Sequence, residues 1–310
     1  MTTTAHATSR VSLAALIKWL LFLIVLAYVV YALKVQFEKI TWSQLHFRVL
    51  PILGAFVCLL LVPPVQLISY RTLLGVYAQT PPLRVMAVVA WIPPLGKYVP
   101  GKVASLVGAV YILRKFQIPA AIAVSVVLAM DGLAVISGLI TGSPLLHTVA
   151  PSGWIPAVGI IVAGMICLHP AVFSRILNFA LVKTGRQPLD HVPDLKHYLV
   201  PVLCAFGQWI LAGLALWLTA RSLADVKTHD IPRFISIAGL GYTISYLVLF
   251  APGGLGVREI VFQKTMQNYV VPGAMSAVAV VVMRIIQTIT ELTAAGVGML
   301  ILRRLERETK

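Results

Sequence analysis

Apolar residues run along this chain in long blocks separated by short polar segments, with neither the two-residue alternation of a half-buried strand nor the striping of a soluble helix. Blocks at 11–33, 49–70, 118–140, 154–168, 199–220, 234–250 and 274–302 have the apolarity of membrane-crossing helices, which need about 20 such residues. Two further blocks, 83–113 and 255–271, are interrupted by proline and glycine. The first is long enough to enter and return as a hairpin, and the second to cross once. The pattern predicts an all-α polytopic membrane protein with about eight transmembrane helices plus a re-entrant hairpin. It forms a single integral membrane domain, residues 1–310, with halves at roughly 1–150 and 151–310.

Composition agrees. Charged residues make up 11% of the 310 residues and mean hydropathy is +0.92, whereas soluble domains carry about 25% charge. The net charge of +15 raises the question of nucleic acid, but the basic residues cluster in short loops between apolar blocks, as the positive-inside rule expects. The charge therefore reads as topology plus attraction to anionic lipid headgroups, and nucleic acid is set aside as a partner. Cys58, Cys167 and Cys204 sit singly in apolar blocks, so no disulfide framework, metal site or cofactor is expected. The block 11–33 exceeds a signal-peptide core and lacks a small-residue cleavage pattern after it, so it is expected to remain as a first span.

Loop charge gives an orientation. The 141–153 connection has no Lys or Arg, while Arg175, Lys183, Arg186 and Lys196 populate the next long one and Arg303, Arg304, Arg307 and Lys310 the tail. The termini are therefore expected in the cytoplasm, with the protein in the inner (cytoplasmic) membrane. The loops bearing Lys34, Lys39 and Arg48 and bearing Arg221, Lys227 and Arg233 run against this scheme. In 170–197, Val172, Ile176, Phe179 and Ala180 recur at helical spacing, which fits an interfacial helix or a polar linker.

The interruptions carry the chemistry. Pro63-Pro64, Pro93-Pro94, Pro100-Gly101 and Pro252-Gly253-Gly254 break helices inside apolar sequence. In lipid such breaks survive only where protein or a watery cavity satisfies the freed backbone groups. A half-helix starting at a break presents its N–H groups and positive dipole end to an anion. Similar text follows the two main breaks, PGKVASLVGAVYILRK and PGGLGVREIVFQK. Corresponding breaks in two halves point to an inverted repeat with a site at its interface. Gly96 to Lys102 matches the spacing of a phosphate-binding loop, but Val103 stands where Ser or Thr is required and Pro100 lies within. Nucleotide hydrolysis is not expected there.

The run Gly96-Lys97-Tyr98-Val99-Pro100-Gly101-Lys102, the following Gly108 to Lys115, and Pro252-Gly253-Gly254-Leu255-Gly256-Val257-Arg258-Glu259 resemble a flippase-like transmembrane family. That family includes the membrane domain of lysylphosphatidylglycerol synthases. The resemblance implies a bundle with broken helices that moves lipids or lipid-linked sugars between leaflets. The soluble aminoacyl-transferase domain of the full synthases is not in this sequence, so that reaction is not implied. Relatives carry a charge near Gly108-Ala109 and a glutamate in the next helix, where this chain has Ala109 and Asp131.

Ionisable groups at membrane depth cost at least about 2.5–3.5 kcal/mol on insertion scales and usually face the bundle interior. Lys97, Lys102, Asp131, Arg258, Glu259, Lys264, Arg284 and Glu291 are candidates, and if they converge a cationic remainder is left for an anionic headgroup. Arg258 and Glu259 are adjacent and do not share a helix face, so Glu259 is assigned a lysine of the first break and Arg258 a phosphate. Arg284, Gln287, Thr288 and Glu291 form an inward stripe, while Lys97 and Lys264 also fit as snorkelling groups. Tyr98, Tyr111, Tyr242 and Tyr246 read as belt or packing aromatics. The candidate substrate-binding set is thus Lys97, Pro100, Gly101, Lys102, Asp131, Pro252, Gly253, Gly254, Gly256, Arg258, Glu259, Arg284, Gln287 and Glu291. Three functions remain open. One is a translocator of an anionic phospholipid or polyprenyl-phosphate-linked glycolipid, with Asp131 or Glu259 available for proton coupling. The others are a membrane transferase or hydrolase, for which no catalytic signature is present, and a scaffold for envelope-assembly enzymes such as glycosyltransferases.

Overall fold

The computed structural model describes residues 47–77, 79–98, 103–146, 151–183, 185, 188, 195–248, 254–271 and 273–308. The expected span at 11–33 lies outside them, as do Pro100, Gly101, Lys102, Pro252 and Gly253. Every described element is helical: α1 Val49–Leu60, α2 Val62–Val76, α3 Leu83–Trp91, a 3₁₀ turn Pro93–Tyr98, α4 Val103–Lys115, α5 Ala120–Gly142, α6 Trp154–Leu168, α7 Pro170–Lys183, α8 Leu195–Arg221, α9 Ile231–Leu247, α10 Val257–Tyr269 and α11 Gly273–Glu308. Among them, α1 with α2, α5, α8 and α11 are long and apolar enough to cross a membrane by themselves. The pair α6 and α7 adds a fifth if taken together, though the two are bent by 80°. The protein is an all-helical, multi-pass membrane protein.

Helix boundaries follow proline chemistry. Pro63 and Pro64 occupy the first turn of α2, where the missing N–H costs nothing, so the chain restarts after Leu61. Pro82 and Pro119 are extended residues that precede α3 and α5. Glycine sets close crossings: a Cβ at Gly213 of α8 would stand 2.3 Å from the Ile235 Cα of α9, and one at Gly142 of α5 2.7 Å from the Leu240 Cβ of α9, so only glycine lets these backbones approach. In α7, Phe173, Leu177 and Leu181 turn inward, whereas Ile176 and Phe179, expected on one apolar face, are exposed.

α3, the 3₁₀ turn and α4 form a hairpin whose geometry α11 records. Arg84 at the start of α3 lies 3.2 Å from Glu308, and Lys115 at the end of α4 is paired with Glu306, so both roots sit at the C-terminal end of α11. Lys97 near the tip meets Glu291, 15 residues earlier, which is about 22 Å along the helix. The expected first hairpin is present.

α9 and α10 form a second, antiparallel pair: Gly241 faces Phe262, and Gly254 faces Ser245. The segment 255–271, expected to cross once, is therefore the returning arm of this pair. Gly254 and Gly256 stand at its tip with φ +68° and +88°, a backbone conformation that glycine adopts without strain. Its roots lie at the other end of α11, since α10 passes into Gly273 through three residues. Two hairpins thus enter the bundle from opposite ends, as an inverted repeat requires.

The apolar packing divides along the same axis. One core gathers Leu74, Val88, Leu113, Leu133 and Leu181 with Leu302 and Leu305 of α11. The other gathers Leu59, Leu216, Phe234, Phe262, Met266 and Met283. Outside, Trp154, Val158, Met165 and Leu300 are among many exposed apolar side chains, which lipid rather than water accommodates.

Candidate functional site

The hairpin tips converge on two turns of α11. Arg284, Gln287 and Glu291 fall on one face because seven residues span two helical turns, about 10 Å. This is the stripe expected from spacing, and it touches both tips.

At the first tip, Lys97 Nζ lies 2.5 Å from Glu291 Oε1 and the neighbouring Tyr98 hydroxyl donates to Glu291 Oε2 at 2.8 Å. Gln287 Nε2 donates to Glu291 Oε1 at 2.6 Å, and its own oxygen accepts from the Tyr242 hydroxyl at 3.0 Å. Glu291 is therefore held by three donors, two of them from the hairpin. The 3₁₀ turn packs so closely on α4 that a Cβ at Gly96 would stand 2.5 Å from the Ser105 backbone nitrogen.

At the second tip, Glu259 folds back on its own helix. Its Oε2 accepts the Gly256 N–H at 2.8 Å, while Oε1 lies 3.2 Å from Arg258 and 3.3 Å from Arg284. Two expectations are corrected. Glu259 pairs with Arg258 and Arg284, while Lys97, the described lysine of the first break, pairs with Glu291, and Arg258 and Glu259, though adjacent, do meet. The first turn of a helix leaves a glutamate free to cap the preceding N–H, and the long arginine side chain reaches sideways to it. The positive end of α10 is thus met by its own carboxylate. Arg258 is 4% exposed, and its guanidinium lies 4.7 Å from the centre of the Tyr242 ring. Arg284 stacks similarly over Tyr98 at 5.7 Å, so it contacts both tips.

Between the tips lies a cavity of about 350 Å³, within the usual range for small-molecule sites. Pro93, Pro94, Lys97 and Ala109 of the first hairpin line it, as do Tyr242, Gly254 and Arg258 of the second. Asp131 of α5, Trp209 of α8, and Gln287 and Glu291 of α11 are among the other polar residues of the wall. Asp131 is hydrogen-bonded to Tyr246. Glu259 and Arg284 stand behind Arg258 and are not in the lining.

Of the sequence-derived candidates, Lys97, Asp131, Gly254, Arg258, Gln287 and Glu291 share one cavity. Gly256, Glu259 and Arg284 brace it, and Lys264 is exposed on the outside. Lys102, with Pro100, Gly101, Pro252 and Gly253, falls outside the described residues. The described charges balance: Lys97, Arg258 and Arg284 against Asp131, Glu259 and Glu291. The expected cationic remainder is not found among them. Tyr98, Tyr242 and Tyr246 were assigned to packing yet serve the site, and Tyr111 is 68% exposed. The sequence signal for Tyr98 was its place beside Lys97 in a broken segment.

A multi-pass bundle with a polar pocket at the meeting of two broken hairpins defines a class of membrane protein. Within that class, the family model of the lysylphosphatidylglycerol synthase TM region matches residues 15–295, and the chain belongs to this family. No curated protein matches the chain.

Proposed function

We propose that the protein translocates lipid between leaflets, seating the headgroup in the cavity between the hairpin tips while the hydrocarbon chains stay in the bilayer. One observation carries this reading: cations from hairpins of opposite entry, Lys97 and Arg258, line one cavity between two apolar cores. An anionic phospholipid or a polyprenyl-phosphate-linked glycolipid is the substrate class. Its phosphate accepts hydrogen bonds from the guanidinium fork of Arg258 and from Lys97. The proposal contains no catalytic step.

The membrane is the inner one, with the C-terminal end of α11 in the cytoplasm. That end carries Arg84, Arg114, Lys115, Arg303, Arg304 and Arg307. At the other end, Arg48 lies 3.9 Å from Asp225 and Arg233 3.4 Å from Asp230. The loops that ran against the charge rule therefore carry acids beside their cations.

The test is leaflet exchange of fluorescent phosphatidylglycerol in vesicles containing the purified protein. Arg258→Ala is expected to slow exchange at least tenfold, and Arg258→Lys to restore part of it. An alanine variant exchanging at the wild-type rate would remove Arg258 from the site.

A further inference from the structure

Glu291 and any headgroup phosphate compete for the same ammonium. Lys97 Nζ already lies 2.5 Å from Glu291 Oε1, so a phosphate reaching Lys97 places a second anion beside that carboxylate. Tyr98 and Gln287 fix that carboxylate, and its backbone belongs to a 36-residue helix. The described charges of the site already balance, so a bound phosphate leaves one negative charge in excess in a half-buried pocket, and that excess favours proton uptake by a neighbouring carboxylate.

The groups facing Glu291 decide which. From the first hairpin come Lys97 and Tyr98, from α9 Tyr242 acting through Gln287, and from α10 the Arg258 cation near Lys97. Asp131 of α5 lines the same cavity. Glu259 is unsuited, because neutralising it would leave Arg258 and Arg284 without their shared carboxylate and the Gly256 N–H with a weaker acceptor. Glu291 has the opposite balance, for the incoming phosphate replaces it at Lys97.

Building on the translocation reading, we propose that Glu291 takes up one proton for each anionic headgroup that occupies Lys97 and releases it when the headgroup leaves, so that lipid and proton move together. The carboxylate gains a proton from water on the side of entry and becomes a carboxylic acid. That proton returns to water on the side of exit, leaving the carboxylate to re-pair with Lys97. A singly charged lipid and its proton cross with no net charge, so a pH gradient drives the movement and a membrane potential does not.

The experiment uses vesicles holding the protein, fluorescent phosphatidylglycerol and a trapped pH dye, with the potential clamped. Under a gradient of one pH unit, the labelled lipid is expected to accumulate about tenfold in the leaflet facing the alkaline side, because one unit is worth a factor of ten. The lumen should acidify as labelled lipid enters. Glu291→Gln, which keeps the size and hydrogen-bonding shape, is expected to level the final distribution between leaflets. Exchange that settles at equal leaflets in the wild type would overturn the coupling, asymmetry that survives Glu291→Gln would overturn Glu291 as its proton carrier, and either would leave translocation standing. No lipid movement in the wild type under any gradient would overturn both.

Discussion

The two hairpin tips are built from similar sequence and solve their electrostatics differently. The second carries its own counter-charge: Glu259 sits beside Arg258, caps Gly256 and takes up Arg284 as well. The first carries Lys97 and Tyr98 without an acid in the described tip and borrows Glu291 from α11. A tip neutralised from within is a fixed wall. A tip neutralised by another helix is a contact that a competing anion can open. On the proposed translocation, the second hairpin holds and the first moves.

The strongest way to break this contrast is Glu259→Ala. It strips a buried carboxylate from two arginines and a cap from α10, and breaking such pairs costs about 3–5 kcal/mol. The expected outcome is a large fall in the melting temperature of the detergent-purified protein, whatever the lipid present. Lys97→Met is next. Glu291 keeps Tyr98 and Gln287 as donors, so the stability loss should be about 1–2 kcal/mol, while lipid exchange falls at least tenfold. Equal melting losses for the two variants would erase the distinction between the tips. Tyr242→Phe sharpens it at the smallest scale. It removes one hydroxyl donor to Gln287, worth about 1 kcal/mol, and keeps the ring under Arg258. Its melting temperature should fall slightly and its exchange rate by only a few-fold.

Much of this was legible in the chain. Proline and glycine breaks inside apolar blocks pointed to both tips, with Pro93-Pro94 described at the first and Gly254 at the second, since such backbone survives only inside protein or beside a cavity. Helical spacing placed Arg284, Gln287 and Glu291 on one inward face of α11. Partner choice was not legible. Glu259 and Arg284 are 25 residues apart and Lys97 and Glu291 194 apart, and only the folded path of the hairpins decides which carboxylate each cation reaches. The rule that adjacent residues diverge failed at Arg258 and Glu259, where a first-turn glutamate turns back toward its own N-terminus. The tyrosines were missed for a simpler reason: hydropathy scores a ring alike whether it faces lipid or lies beneath a guanidinium. The second hairpin was missed because the blocks 234–250 and 255–271 are 17 residues each, about the lower limit of a crossing, and the shortness of the 13-residue helix in the second block is not visible in hydropathy.

One dimension of α11 sets how the first hairpin is tethered. Its 36 residues extend about 54 Å, well beyond the roughly 30 Å of hydrocarbon in a bilayer. Glu306 and Glu308 therefore stand in the electrolyte, where their pairs with Lys115 and Arg84 are 42–64% exposed and readily screened. Glu291, about 22 Å further in, is shielded from that screening. Raising the salt outside the bilayer will slacken the mooring at the hairpin's base and leave its grip at the centre unchanged.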